Sequence, residues 1–140
     1  MKRILAMDYG TRRIGIAISD PLGMIAQGLE TIPNSLKERE AALTRVKTLL
    51  ETYEIEDFVV GLPLRTDGKE SESERKVREF ISELNLADKI RVHFVDERYS
   101  TTLGHRLLNE SGQRKGQKAK RQVIDQVAAC VFLQDYLDHH

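Results

Sequence analysis

Three acidic residues stand far apart in the chain, each where an acid is locally awkward. They are Asp8 in Ile4-Leu5-Ala6-Met7-Asp8-Tyr9-Gly10-Thr11, Glu97 in Val95-Asp96-Glu97-Arg98-Tyr99-Ser100-Thr101, and Asp125 in Val123-Ile124-Asp125-Gln126-Val127-Ala128-Ala129. Brought together they would form a carboxylate pocket for divalent cations, and metal-assisted hydrolysis of a phosphodiester is the chemistry that such a pocket serves. Two unit charges about 4 Å apart, at an effective dielectric near 20, repel by roughly 4 kcal/mol. The cluster therefore needs cations or protonation, and oxygen-only donors favour Mg²⁺ or Mn²⁺.

Each acid also has an ordinary reading. Asp8 precedes Gly10 and could simply form a turn. Glu97 could favour the positive end of a following helix. Asp125 shares a helical flank with Ala128, Ala129 and Phe132, near a buried face, where an ionised carboxylate costs several kcal/mol without a cation or good hydrogen bonds. A salt bridge to a nearby arginine is its alternative.

Basic residues gather near these acids: Arg12 and Arg13, Arg65 and Lys69, Arg98, and Arg114, Lys115, Lys118, Lys120 and Arg121. Such a run is often a solvated face; beside a metal centre it would neutralise phosphates. The aromatic residues form no base-stacking cluster. His93 and His105 read as strand and helix residues rather than ligands, and His139-His140 as a frayed terminus.

The elements that must position the acids follow from periodicity. Apolar runs Ile4 to Met7 and Ile14 to Ile18 flank a polar turn and predict a β-hairpin over 3–19, with a third strand across 25–32 after Asp20-Pro21-Leu22-Gly23. Ser35 is a candidate cap for a helix over about 36–54, with Leu36, Leu43, Val46, Leu49, Leu50 and Tyr53 on its apolar face. A buried strand follows at 57–61, then a polar loop at 65–73, a helix with Val77, Phe80, Ile81 and Leu84 inward, and a strand at 90–95. After the capping pair Ser100-Thr101 comes a short helix to about Asn109, an interruption at Gly112 to Gly116, and a last helix over about 119–137. The order βββαβαβαα predicts a mixed sheet covered on both faces. Asp8 and Glu97 then fall at the carboxyl ends of strands, where such folds place their sites.

At 140 residues the chain suits one domain, and 40% apolar with 31% charged residues excludes disorder by composition. The 22 basic and 22 acidic residues balance, so only charge distribution could favour nucleic acid. No apolar run approaches the roughly 20 residues of a membrane span, which predicts a cytoplasmic protein with no membrane partner. Cys130 is the only cysteine, set among apolar residues, and reads as an inert core thiol.

Taken together the chain resembles the YqgF family of ribonuclease H-like proteins, described as pre-16S rRNA nucleases and as Holliday-junction-resolvase-like. The resemblance rests on four segments in order: Met7 to Asp20, Val59-Val60-Gly61-Leu62-Pro63-Leu64, Val95 to Thr101, and Val123-Ile124-Asp125 with Ala128-Ala129. It implies one ribonuclease H-like domain over 1–140, built as a five-stranded mixed sheet with helices on both faces. It carries the catalytic and metal-binding triad onto Asp8, Glu97 and Asp125, with Asp8 bridging two Mg²⁺ or Mn²⁺ ions and the others each helping to hold one.

The resemblance further implies 5′-end trimming of 16S rRNA precursor, leaving a 3′-hydroxyl and a 5′-phosphate. Arg12, Arg98, Lys115, Lys118, Lys120 and Arg121 would contact the nucleic acid, and ribosome-assembly factors are possible partners of a monomer or weak homodimer. Two departures touch substrate contacts, not the metal site: Leu64-Arg65-Thr66-Asp67-Gly68 stands where an Asn-Met pair is expected, and Gln122 where a lysine is common. Three other readings stand beside this one. A resolvase would cut branched DNA as a dimer, and a non-catalytic module would assist ribosome assembly. ATP-dependent phosphoryl transfer, suggested by Asp8-x-Gly10-Thr11, would need a cleft between two such domains.

Overall fold

Apolar residues at a period of two decide which face each strand presents. The computed structural model describes residues 3–63, 67–96 and 117–139, with side chains in the last helix from Gln126 onward. Its strands are β1 (Ile4–Tyr9), β2 (Arg13–Ser19), β3 (Ala26–Pro33), β4 (Asp57–Leu62) and β5 (Arg91–Asp96), in the spatial order β3-β2-β1-β4-β5. The helices are α1 (Arg39–Thr52), α2 (Glu72–Leu84) and α3 (Gln117–His139). β1 pairs antiparallel with β2, which pairs antiparallel with β3, whereas β1 with β4 and β4 with β5 run parallel. The hairpin, the mixed sheet and its two covered faces are as the sequence predicts.

Leu5, Met7, Ile14, Ile16, Phe58 and Val60 point to one face, where they pack with Val46 and Leu49 of α1 and Val77 and Phe80 of α2. The intervening Ala6, Ala17 and Val59 point to the other, against Ala128, Ala129, Phe132 and Leu133 of α3. Small side chains on both partners let α3 lie close to the sheet. Gly61 is the tightest point: a Cβ there would sit 2.3 Å from the Phe132 ring. Among the described residues no helix is long and apolar enough to cross a membrane.

Several boundaries differ from expectation. Ser35 does not cap α1; its hydroxyl donates to the Glu38 carboxylate at 2.6 Å, closing a turn that delays the helix to Arg39. Leu36, expected on the buried face, is 95% exposed in that turn. The loop expected through Ser73 ends earlier, because the Ser71 hydroxyl accepts the Glu74 N–H at 3.0 Å and starts α2 at Glu72. β3 and β5 are shifted by one residue, β4 extends one further, and α3 is longer at both ends than predicted. His139 belongs to α3, its Nδ1 2.8 Å from the Asp135 carbonyl, rather than to a frayed end. The expected short helix to Asn109 and the Gly112 to Gly116 interruption lie outside the described residues.

Candidate active site at the carboxyl edge of the sheet

Asp8 is the penultimate residue of β1, two positions beyond Ala6, so the pleat turns it to the face that α3 covers. It is half-buried. Across β2 its partner is Gly15, and Gly15 in turn pairs with Thr31 of β3, so the three form one row across the sheet. On the β4 side the register ends at Met7 with Val60, so the next position, Gly61, continues the row. Asp8 therefore stands between two residues without side chains, with the Phe132 ring over one of them.

The course of α3 matters next. Gln126 donates to the Thr31 hydroxyl at 2.9 Å, and eight residues on, Gln134 accepts the Ala26 N–H at 3.0 Å. α3 thus runs antiparallel to β3, which is itself parallel to β1. Asp125 immediately precedes Gln126, and its backbone lies on α3 at the level of the Asp8 row, one turn before Ala128 and Ala129. The Asp125 side chain is outside the description, as are those of Lys118, Lys120 and Arg121 in the first turns of α3. Glu97, Arg98 and Lys115 also lie outside the described residues; Asp96, which ends β5, is the last described residue before Glu97. Arg12 is exposed in the turn between β1 and β2, beside the row.

That turn is tightly built. A Cβ on Gly10 would come within 2.4 Å of the Arg13 carbonyl oxygen, so glycine is required for the close approach. Asn34 holds the turn from β3: its Nδ2 donates to the Gly10 carbonyl and its backbone N–H to the Arg12 carbonyl, both at 2.8 Å. Sequence reading did not find Asn34, because an asparagine after Pro33 looks like any loop residue.

On the opposite face, Tyr9 packs on Phe80 and its hydroxyl accepts a bond from Arg39 at 3.1 Å. It borders a cleft of about 190 Å³ lined also by Gly10, Thr11, Pro63, Ser73, Lys76 and Val77. Sequence reading likewise missed Ser73, which falls in the expected loop, and Lys76. Cys130 behaves as expected: burial pushes its thiol up to about 11, so it is neither a thiolate nucleophile nor a soft metal ligand at neutral pH.

A mixed sheet in the order 3-2-1-4-5, covered on both faces, with Asp8 near the carboxyl end of its central strand, has the ribonuclease H-like fold. RuvC from Thermus thermophilus in complex with Holliday junction substrate shares the fold at a TM-score of 0.57 and 14% identity, over 94% of this chain and 92% of that one. The fowlpox virus Holliday junction resolvase shares it at 0.59 and 13%, over 98% of each chain.

Sequence narrows the class further. The chain belongs to the RuvX family, whose model, described as Holliday junction resolvase, matches residues 2–139. Relatives named "Putative pre-16S rRNA nuclease" include one from Koribacter versatilis, 42% identical over 97% of this chain and 86% of its own length. Another, from Moorella thermoacetica, is 43% identical over 97% of this chain and 94% of its own.

Proposed function

We propose that this chain is a divalent-metal-dependent nuclease that matures the 5′ end of 16S rRNA precursor in the cytoplasm. The observation that carries the reading is Asp8, an oxygen donor at the end of the central strand, in a chain matched along almost its whole length by relatives named "Putative pre-16S rRNA nuclease". The donors fit the metal. Carboxylate oxygen suits Mg²⁺ or Mn²⁺, and Asp8 offers it from a half-buried position whose neighbours in the row, Gly15 and Gly61, carry no side chains.

In this reading Asp8, Glu97 and Asp125 hold the ions, and Arg12, Arg98, Lys115, Lys118, Lys120 and Arg121 neutralise the strand on either side. Bound ions would lower the pKa of the attacking water and stabilise the leaving oxygen. The chain's own part is to fix Asp8 on the central strand and position 125 on a helix docked against the sheet. The protein acts as a monomer or weak homodimer, with ribosome-assembly factors as its protein partners.

The test incubates the purified protein with labelled 16S precursor, single-stranded RNA and a four-way DNA junction, in Mn²⁺, Mg²⁺ or chelator. Metal-dependent cutting of RNA is expected. Asp8→Asn, Glu97→Gln and Asp125→Asn should each lower it by more than the roughly 10–100-fold that loss of an outer-shell partner costs, with folding retained. Cutting that survives all three substitutions would remove the site assignment. The family description favours a second reading, cleavage of branched DNA, which requires two sites in a symmetric pair. Preferential cutting of the junction by a dimer would establish it instead, and binding to RNA without cutting would leave an assembly module.

A further inference from the structure

The cleft behind Tyr9 lies on the face of the sheet opposite Asp8, yet the two residues are neighbours on β1. Its walls come from the turn after β1 and from α2, tied to the end of β4 by the Ser71 hydroxyl, which donates to the Pro63 carbonyl at 3.3 Å. Thr11, Ser73 and Lys76 line it, and their side chains can offer two hydroxyls and an ammonium group to a ligand seated there. That ammonium is loosely held: it lies 3.9 Å from the Glu72 carboxylate, which also faces Arg75 at 3.8 Å. Exposed pairs of this kind contribute little, so Lys76 can turn to a better anion. The other acid of that turn, Glu74, is already engaged by Arg78 at 3.0 Å.

At about 190 Å³ the cleft falls below the roughly 300 Å³ at which pockets begin to hold drug-sized molecules. It suits one phosphate group with hydroxyl and ammonium donors around it. We propose that this cleft seats a backbone phosphate of the nucleic-acid strand next to the one being cut, with Lys76 supplying charge and Thr11 and Ser73 supplying hydrogen bonds. The proposal rests on the nuclease reading above and assigns it a second contact point. A strand crossing the carboxyl edge of β1 would be held on the Tyr9 side while its neighbouring phosphate lies on the Asp8 side. Backbone contacts of this kind set register without reading sequence.

Binding in chelator separates this from turnover. A fluorescent single-stranded RNA and a four-way DNA junction are titrated against the wild-type protein over a range of salt, and each is recovered intact afterwards. Lys76→Gln should weaken binding to unrelated sequences alike and make the slope of log K against log salt shallower by about 0.7 on RNA, the loss of one phosphate contact. Lys76→Arg should restore it, and Lys47→Gln, on the exposed side of α1, should leave it unchanged. Among the positions where a neutral methylphosphonate walked along the RNA weakens wild-type binding, one should lose its effect in Lys76→Gln. An unchanged slope and affinity in Lys76→Gln would overturn the subsite while leaving the nuclease reading intact. Loss of the effect on RNA but its presence on the junction would assign the subsite to branched DNA. Failure of the wild-type protein to bind either nucleic acid would overturn the subsite, while cutting in Mn²⁺ or Mg²⁺ decides the nuclease reading separately.

Discussion

Asn34 shows how much of a site can depend on a residue that does no chemistry. Its side chain is buried, Nδ2 ties down the Gly10 carbonyl, and Oδ1 has no partner among the described residues. A buried unsatisfied oxygen costs about 1–3 kcal/mol, so the amide is kept for its donor. Asn34→Ala loses one hydrogen bond but also removes the orphaned oxygen, and should cost only about 1 kcal/mol in urea unfolding. Asn34→Asp should cost more, because it sets a second oxygen against the Gly10 carbonyl and buries a charge. An aspartate variant more stable than the alanine variant would contradict this account of the turn. At this scale Asp8 and Gly10 were legible, since a strand ending in Asp-x-Gly is a local pattern. The partner of Gly10, 24 residues away, was not, and neither was the approach of Ser73 and Lys76 to that turn.

At the scale of elements, the contact between β4 and α3 is the most sensitive to change. Gly61→Ala forces a methyl group into the Phe132 ring, and since Phe132 is fully buried the ring cannot swing into solvent. Overpacking of this kind costs typically about 1–3 kcal/mol, measurable as a lower urea midpoint. Activity should fall further than stability does, because lifting α3 also moves position 125 away from the Asp8 row. Gly28→Ala should be milder, since the atom it meets at 2.7 Å is the amide end of Gln126, a flexible tip. Equal costs for the two would argue against a rigid ring contact. Strand faces were readable here because a period of two needs only apolar alternation. Helix starts were not: Ser35 and Ser71 look alike in sequence, but only Ser71 meets a backbone N–H one turn on, while Ser35 is captured by the Glu38 carboxylate.

For the whole molecule, the end of the sheet opposite the candidate site holds a polar clasp. Asp57 at the start of β4 accepts from Arg91 at 3.0 and 3.1 Å and lies 2.8 Å from His93 of β5, whose ring packs on Tyr136 of α3. Burial raises the Asp57 carboxyl, but the bonds from His93 and Arg91 outweigh it and hold the group below the usual carboxylate range. A carboxyl depressed in the folded state stabilises in full above its unfolded value of about 3.9, and that contribution disappears as pH falls through the lower folded value. Asp57→Asn should therefore destabilise the protein at neutral pH and make little difference once the wild type is acidified past that window, as thermal unfolding across pH would show. An equal loss at every pH would mean packing, not charge, is at stake. The element order and mixed pairing could be read from the chain, whereas the antiparallel seat of α3 depends on distant pairs such as Gln126 with Thr31 that no local pattern announces. The pleat of β1 carries one last consequence. Asp8 and Tyr9 share a strand and look to opposite sides of it, so deleting or inserting one residue between Ile4 and Met7 would exchange the acid and the ring. The strand can vary in side chains but not in length, and single-residue deletion there should abolish activity where conservative replacement does not.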